Sequence, residues 1–116
     1  MAAEACLRGG AGLSRSEALD LVNQVRLRAY RQDESGKITD ADLTLDFLLD
    51  ERGRELYLES VRRTDLIRFD RFTTDSYLWQ WKGGVLDGRA INARYNIYPI
   101  PDTDRTANPN LSNPLY

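Results

Sequence analysis

The chain has 116 residues, which suits one small domain or a part of a larger protein. Hydrophobic residues make up 41% and charged residues 29%, a composition too apolar for a disordered segment, and the net charge of −2 gives no electrostatic basis for binding nucleic acid. The chain contains no histidine, which excludes Ser-His and Cys-His nucleophiles and most zinc sites within these residues. We therefore expect no cofactor.

The first predicted element is a short helix followed by a glycine turn. Residues 2–8 read as the end of a helix that Gly9 and Gly10 stop. A helix this short has little to pack against, so we expect the natural protein to extend further toward the N-terminus.

A longer amphipathic helix is predicted next. Ser14 and Glu17 have the spacing of a capping box. One apolar stripe follows at helical intervals, formed by Ala18, Val22, Val25 and Ala29. A short helix, a glycine turn and an amphipathic helix form the unit of tetratricopeptide-type arrays, which we assign to residues 1–33.

The third predicted element is a long charged helix within residues 38–71. Thr39 is its predicted cap, leucines line one side, and Gly53 lies in its middle. The pattern predicts helix to about residue 60 or 63, with a further turn from Thr64. Acidic and basic residues recur at helical spacing, and we expect them to form a structural ion-pair network: Glu51, Arg52, Glu55, Glu59, Arg62, Asp65 and Arg68.

Residues 72–116 lack a helical period and are predicted to be extended or irregular. Tyr77, Trp79 and Trp81 alternate as in an extended segment, and they are candidates for packing or for stacking on sugar rings. All four prolines lie between Tyr98 and Tyr116, together with several large apolar residues. We therefore predict a strap that buries its aromatic rings over the helices, because free linkers lack such groups.

Two kinds of chemical site could use these acidic residues. Glycosidases use paired carboxylates, but here the acids alternate with arginines, which favours ion pairs. Some acids also match the register of a calcium-binding loop, but Leu45 stands where that loop requires glycine. The matching residues are Asp40, Asp42, Thr44, Asp46 and Glu51.

Three segments, in the same order, resemble one family, the SusD/RagB-type nutrient-binding proteins. They are "AEACLRGG" with "EALDLVNQVRLRA", then "LLDERGRELYLESVRRTDLIRF", and finally "YNIYPIPDTDRTANPNLSNPLY". The departures are local: Gly53 and Ser60 replace a larger or charged residue and a glycine, and Ser112 and Leu115 replace a usual glutamine and glycine.

The resemblance implies a mainly α fold and the C-terminal portion of an outer-membrane lipoprotein that faces outward. Such proteins capture glycans, or sometimes peptides, and work with a SusC-like TonB-dependent transporter; they are not enzymes. The lipid anchor would lie before Met1, and in relatives the ligand-stacking aromatics come mainly from earlier parts of the chain. The alternative to glycan capture is a stand-alone tetratricopeptide-like protein-interaction module. A fragment of a glycosidase is the third possible function.

Overall fold

The computed structural model describes residues 1–116, which form two compact units, Met1–Glu59 and Ser60–Tyr116. The chain is mainly helical and contains no β-strand. A mainly α fold is therefore confirmed. The division after Glu59 falls inside the 38–71 segment that the sequence suggests as one element.

The first unit contains three helices: α1 (Ala2–Leu7), α2 (Arg15–Ala29) and α3 (Leu45–Glu55). Single 3-10 turns at Glu34–Gly36 and Asp40–Asp42 lie between α2 and α3. The predicted glycine stop is confirmed, because the Gly10 N–H donates to the Ala5 carbonyl at 2.8 Å and Gly9 adopts a φ of 87°. α1 packs on α2, although the tetratricopeptide-like character of this pair remains a prediction.

The capping box at the start of α2 is confirmed. The Glu17 N–H donates to the Ser14 hydroxyl, while the Ser14 N–H donates to the Glu17 carboxylate at 2.8 Å. Within the predicted apolar stripe of α2, Ala18 and Val22 are buried in the core of this unit, whereas Val25 is half-buried and Ala29 is exposed. The buried core residues of this unit are Ala3, Ala18, Val22, Leu43, Leu48 and Leu49.

The long helix predicted from Thr39 to about residue 60 or 63, with a further turn from Thr64, is present as two shorter helices that begin and end elsewhere. Thr39 begins a 3-10 turn, Thr44 caps α3 by accepting from the Phe47 N–H at 3.1 Å, and α3 ends at Glu55. Leu58 and Ser60 then adopt φ values of 68° and 61°. A right-handed helix cannot continue through left-handed residues, so the next helix starts afresh.

The second unit begins with that helix, α4 (Arg62–Arg68). Two 3-10 turns follow, Lys82–Gly84 and Ala93–Asn96, and the tail contains one more helix, α5 (Asp102–Ala107). The sequence analysis missed α5, although Pro101 at its N-cap and Asp102 in its first turn are ordinary signals of a helix start.

Specific hydrogen bonds organise the tail. The Asn113 side chain accepts from the Ile100 N–H at 2.8 Å and donates to the Ile100 carbonyl at 3.0 Å. The Tyr116 hydroxyl lies 3.0 and 3.1 Å from the carbonyls of Arg94 and Ile97. Tyr98 and Tyr116 are both exposed, so the predicted strap with buried aromatic rings is not seen within this chain.

Candidate functional site

The three aromatic candidates, Tyr77, Trp79 and Trp81, have different surroundings. The Tyr77 ring lies under the Arg62 guanidinium, with 5.4 Å between the Arg62 Cζ and the ring centroid, and its hydroxyl accepts from Arg62 at 2.6 Å. Trp79 stacks near Phe72, with centroids 6.3 Å apart. Trp81 is 65% exposed and has a φ of 67°. The extended alternation predicted for these residues is therefore wrong, because Trp81 takes a left-handed turn instead of strand geometry.

A buried lysine organises the chain around these aromatics. Lys82 is only 2% exposed, and its ammonium donates to the carbonyls of Arg71, Thr74 and Tyr77. Its Nζ also lies 4.5 Å from the centroid of the Trp79 ring. Burial lowers the pKa of Lys82, and the nearby charge of Asp75 opposes that shift. Sequence reasoning missed this centre because nothing local marks a lysine as buried.

The predicted charged residues on α3 reach partners on α2. Glu51 pairs with Arg26 at 2.8 Å, and both side chains are largely buried, with exposed fractions of 13% and 12%. Arg54 also contacts Glu51 at 2.7 Å, and Glu55 pairs with Arg28. Arg26, which the sequence analysis did not select, further donates to the Gly36 carbonyl.

The remaining members of the predicted network have separate surroundings. Arg52 lies 3.3 Å from the Met1 sulfur, and Asp65, which is buried, pairs with Arg68 at 2.7 Å. The side chain of Glu59 is exposed. The charged stripe is thus divided between α3, the turn after it and α4.

A different residue of α4 contacts the tail. The Arg63 guanidinium donates to the Tyr95 carbonyl at 2.6 Å and lies 4.0 Å from the centroid of the Tyr98 ring. Its Cζ also lies 5.1 Å from the centroid of Phe72. Arg63 therefore links the helix, the aromatic segment and the tail, a role that the sequence pattern did not reveal.

The acids of the calcium-loop register bind protein groups. Asp42 accepts from the N–H and hydroxyl of Thr39 at 2.9 and 2.6 Å, and Asp40 pairs with Arg15 at 2.7 Å. No group of three or more His, Cys, Asp or Glu side chains is arranged to hold a metal ion.

Two grooves are open to solvent, one on each unit. The groove on the first unit has a volume of about 340 Å³ and a mostly apolar wall that includes Leu21, Val25 and Leu56. The groove on the second unit has a volume of about 530 Å³. Arg89, Asn92 and Tyr95 line this second groove together with Gly83, Ala90 and Ile91.

Comparison with known proteins identifies the family. The family model described as the SusD family matches residues 1–116, the whole length of the chain. This chain belongs to the SusD family. The resemblance drawn from the three sequence segments is thereby confirmed.

One curated relative shows the extent of the match. The chain is 42% identical over 110 residues to the starch-binding protein SusD of Bacteroides thetaiotaomicron. The alignment covers 95% of this chain and 18% of that relative, so the chain spans less than a fifth of the relative's length. Every helix of the present chain is too short or too polar to span a membrane.

Proposed function

We propose that this chain is the C-terminal segment of a protein that captures glycans. The observation that carries the proposal is 42% identity, across 95% of the chain, to a relative named for binding starch. Membership of the SusD family over all 116 residues supports the same conclusion.

Within that protein, the segment acts mainly as a scaffold. The buried pair of Arg26 and Glu51 joins α2 to α3, and Arg63 joins α4 to the tail. We extend this structural role to the charged stripe from Glu51 to Arg68. Trp81, at 65% exposed, offers the most open ring of the three aromatic candidates, and Trp79 is 36% exposed.

The proposed activity is binding and not catalysis. Glu51 contacts two arginines, and Asp65 contacts Arg68. This arrangement suits a structural ion pair better than the acid–base pair of a glycosidase.

A native gel experiment tests capture directly. The full-length protein that contains these residues is run in gels with and without starch, xylan or mucin. We expect at least one polysaccharide to slow its migration relative to a non-binding protein standard. Equal mobility in all gels would contradict the proposal and favour the alternative, a tetratricopeptide-like module that binds another protein.

The partner and location are part of the same proposal. We propose that the full-length protein is lipid-anchored at the outer surface of the outer membrane and delivers glycans to a TonB-dependent transporter. Purification of the tagged full-length protein from detergent-solubilised outer membranes should co-isolate a TonB-dependent barrel. Recovery of the tagged protein from the cytoplasmic fraction without a barrel would argue against this assignment.

A further inference from the structure

The groove on the second unit is built by a tight loop. The Gly88 N–H donates to the Val85 carbonyl at 3.0 Å, and the Arg89 N–H donates to the Lys82 carbonyl at 3.1 Å. Gly83 has a φ of 66°, and a Cβ there would lie 2.7 Å from the Arg89 Cγ. The absence of a side chain at Gly83 therefore leaves room for Arg89 beside the groove.

Two polar side chains of the groove keep unused donors. The Arg89 Nε donates to the Gly83 carbonyl at 3.0 Å, while the terminal nitrogens of Arg89 have no protein partner. The Asn92 side-chain oxygen accepts from the Arg94 N–H at 2.9 Å, which leaves the amide NH₂ group without a protein partner. One atom of each side chain is thus fixed by the backbone, and the remaining N–H groups are available to an incoming hydroxyl.

Tyr95 supplies an aromatic wall that is held from two directions. Its carbonyl accepts from Arg63 at 2.6 Å, and its hydroxyl accepts from the Arg94 guanidinium at 3.1 Å. Tyr95 as a whole residue is nevertheless 42% exposed. A ring held in this way can contact a flat apolar surface at low entropic cost, because few rotamers remain to be lost.

These features together match the needs of a sugar ring. A pyranose has an apolar face that can lie on an aromatic ring and a rim of hydroxyls that accept from N–H donors. The volume of about 530 Å³ also lies in the range of small-molecule sites. We propose that this groove, lined by Arg89, Asn92 and Tyr95, is a glycan-contact site for starch-type oligosaccharides, which rests on the proposed function of the whole protein.

Hydrogen exchange with mass spectrometry locates the contact. The probe is maltoheptaose, added to the full-length protein at ten times the dissociation constant that calorimetry gives. We expect the exchange rate of those amides in residues 83–95 that exchange through local opening to fall about tenfold. A ligand at ten times its dissociation constant shifts the equilibrium toward the closed state by about that factor.

Tyr95→Ala should abolish this protection, whereas Tyr95→Phe should retain it because the ring remains. The matched control is Tyr57→Ala, which removes a 76% exposed tyrosine from the other unit and should also retain the protection. Circular dichroism of each variant separates loss of the site from loss of the fold. If Tyr95→Ala unfolds, Arg89→Met provides the second variant, and it should weaken the protection by removing the free N–H donors.

The outcomes separate this inference from the proposed function. If maltoheptaose binds but residues 83–95 exchange at an unchanged rate, the groove assignment is wrong and glycan capture stands. If the protein binds another polysaccharide but not maltoheptaose, the groove assignment is again wrong. If it binds no glycan, both proposals fail.

Discussion

At the scale of single residues, Lys82 is the most deeply buried charged residue in the second unit. Its ammonium uses three backbone carbonyls as acceptors. Lys82→Met should lower the free energy of unfolding by about 1–3 kcal/mol, because buried acceptors lose their donor. Hydrogen exchange should consequently be faster in residues 71–77 of the full-length protein.

The other lysine of the chain provides the control. Lys37 pairs with Glu34 at 2.6 Å on the surface, and its side chain is 40% exposed. Lys37→Met should change the free energy of unfolding by about 1 kcal/mol or less. Equal effects of the two substitutions would show that the carbonyl cage of Lys82 does not stabilise the fold.

Arg26 is the corresponding residue of the first unit. Its guanidinium contacts Glu51 and the Gly36 carbonyl, and its Cζ lies 5.5 Å from the centroid of the Phe47 ring. Arg26→Met should cost about 2–3 kcal/mol, since charged hydrogen bonds are lost from a largely buried position. The decrease in the free energy of unfolding is measured by urea denaturation, with hydrogen exchange of residues 15–55 as the probe of this unit.

Arg28→Met is the matched substitution for Arg26→Met. Arg28 also belongs to α2 and pairs with Glu55, but its side chain is 69% exposed. We expect a change of about 1 kcal/mol or less, because exposed ion pairs contribute little. A larger cost for Arg28→Met than for Arg26→Met would refute the structural role assigned to the buried pair.

At the scale of elements, carboxylates at helix starts make stability depend on pH. The Ser14 hydroxyl and then the Ser14 N–H lower the pKa of Glu17, and the hydroxyl and N–H of Thr39 do the same for the pKa of Asp42. The folded state therefore binds fewer protons than the unfolded state. The resulting stability is present above the unfolded pKa, near pH 4, and is lost as pH falls through the lower folded pKa.

Glu17→Gln tests this linkage, because glutamine can complete a capping box but does not titrate. Wild type should be more stable than the variant at pH 6, and the difference should vanish as the solution is acidified below pH 4. Urea unfolding over a pH series measures it, with Glu59→Gln as a control at an exposed position without a capping partner. A difference that stays constant with pH would disprove the linkage.

Local sequence signals predicted the elements whose stabilising contacts are local. The Ser14–Glu17 box and the Gly9 stop lie within a few residues of the helix ends that they define. The end of the long charged helix was predicted too late. The helix is interrupted where residues such as Leu58 adopt a positive φ, and no local sequence signal marks a leucine for that conformation. The short helix α5 was not predicted, because the prolines on both sides of it favour turns and extended backbone.

The candidate site depends on contacts that sequence spacing does not show. Arg63 reaches Tyr95, 32 positions away, and Arg26 reaches Glu51, 25 positions away. Helical periodicity instead predicts side-chain pairs between residues three or four positions apart on one helix. Tyr95 was overlooked because nothing in its local sequence distinguishes a groove wall from an ordinary exposed tyrosine.

At the scale of the whole molecule, the chain is a family segment with two ordered units. The SusD family assignment covers both of them, and each contains a centre in which a cation is held by several neighbours, Arg26 in one and Lys82 in the other. We interpret these centres as structural supports for the glycan capture proposed for the whole protein, and the groove of residues 83–95 as the proposed contact site within this segment.

The most direct test of this account is a calorimetric titration of the full-length protein with a panel of oligosaccharides, including maltoheptaose. We expect saturable heat with at least one glycan. We also expect the same binding in Lys82→Met provided that the variant is folded, because Lys82 is assigned to the scaffold. Absence of saturable binding across the whole panel, in protein shown to be folded, would contradict the claim that this chain belongs to a glycan-capturing protein.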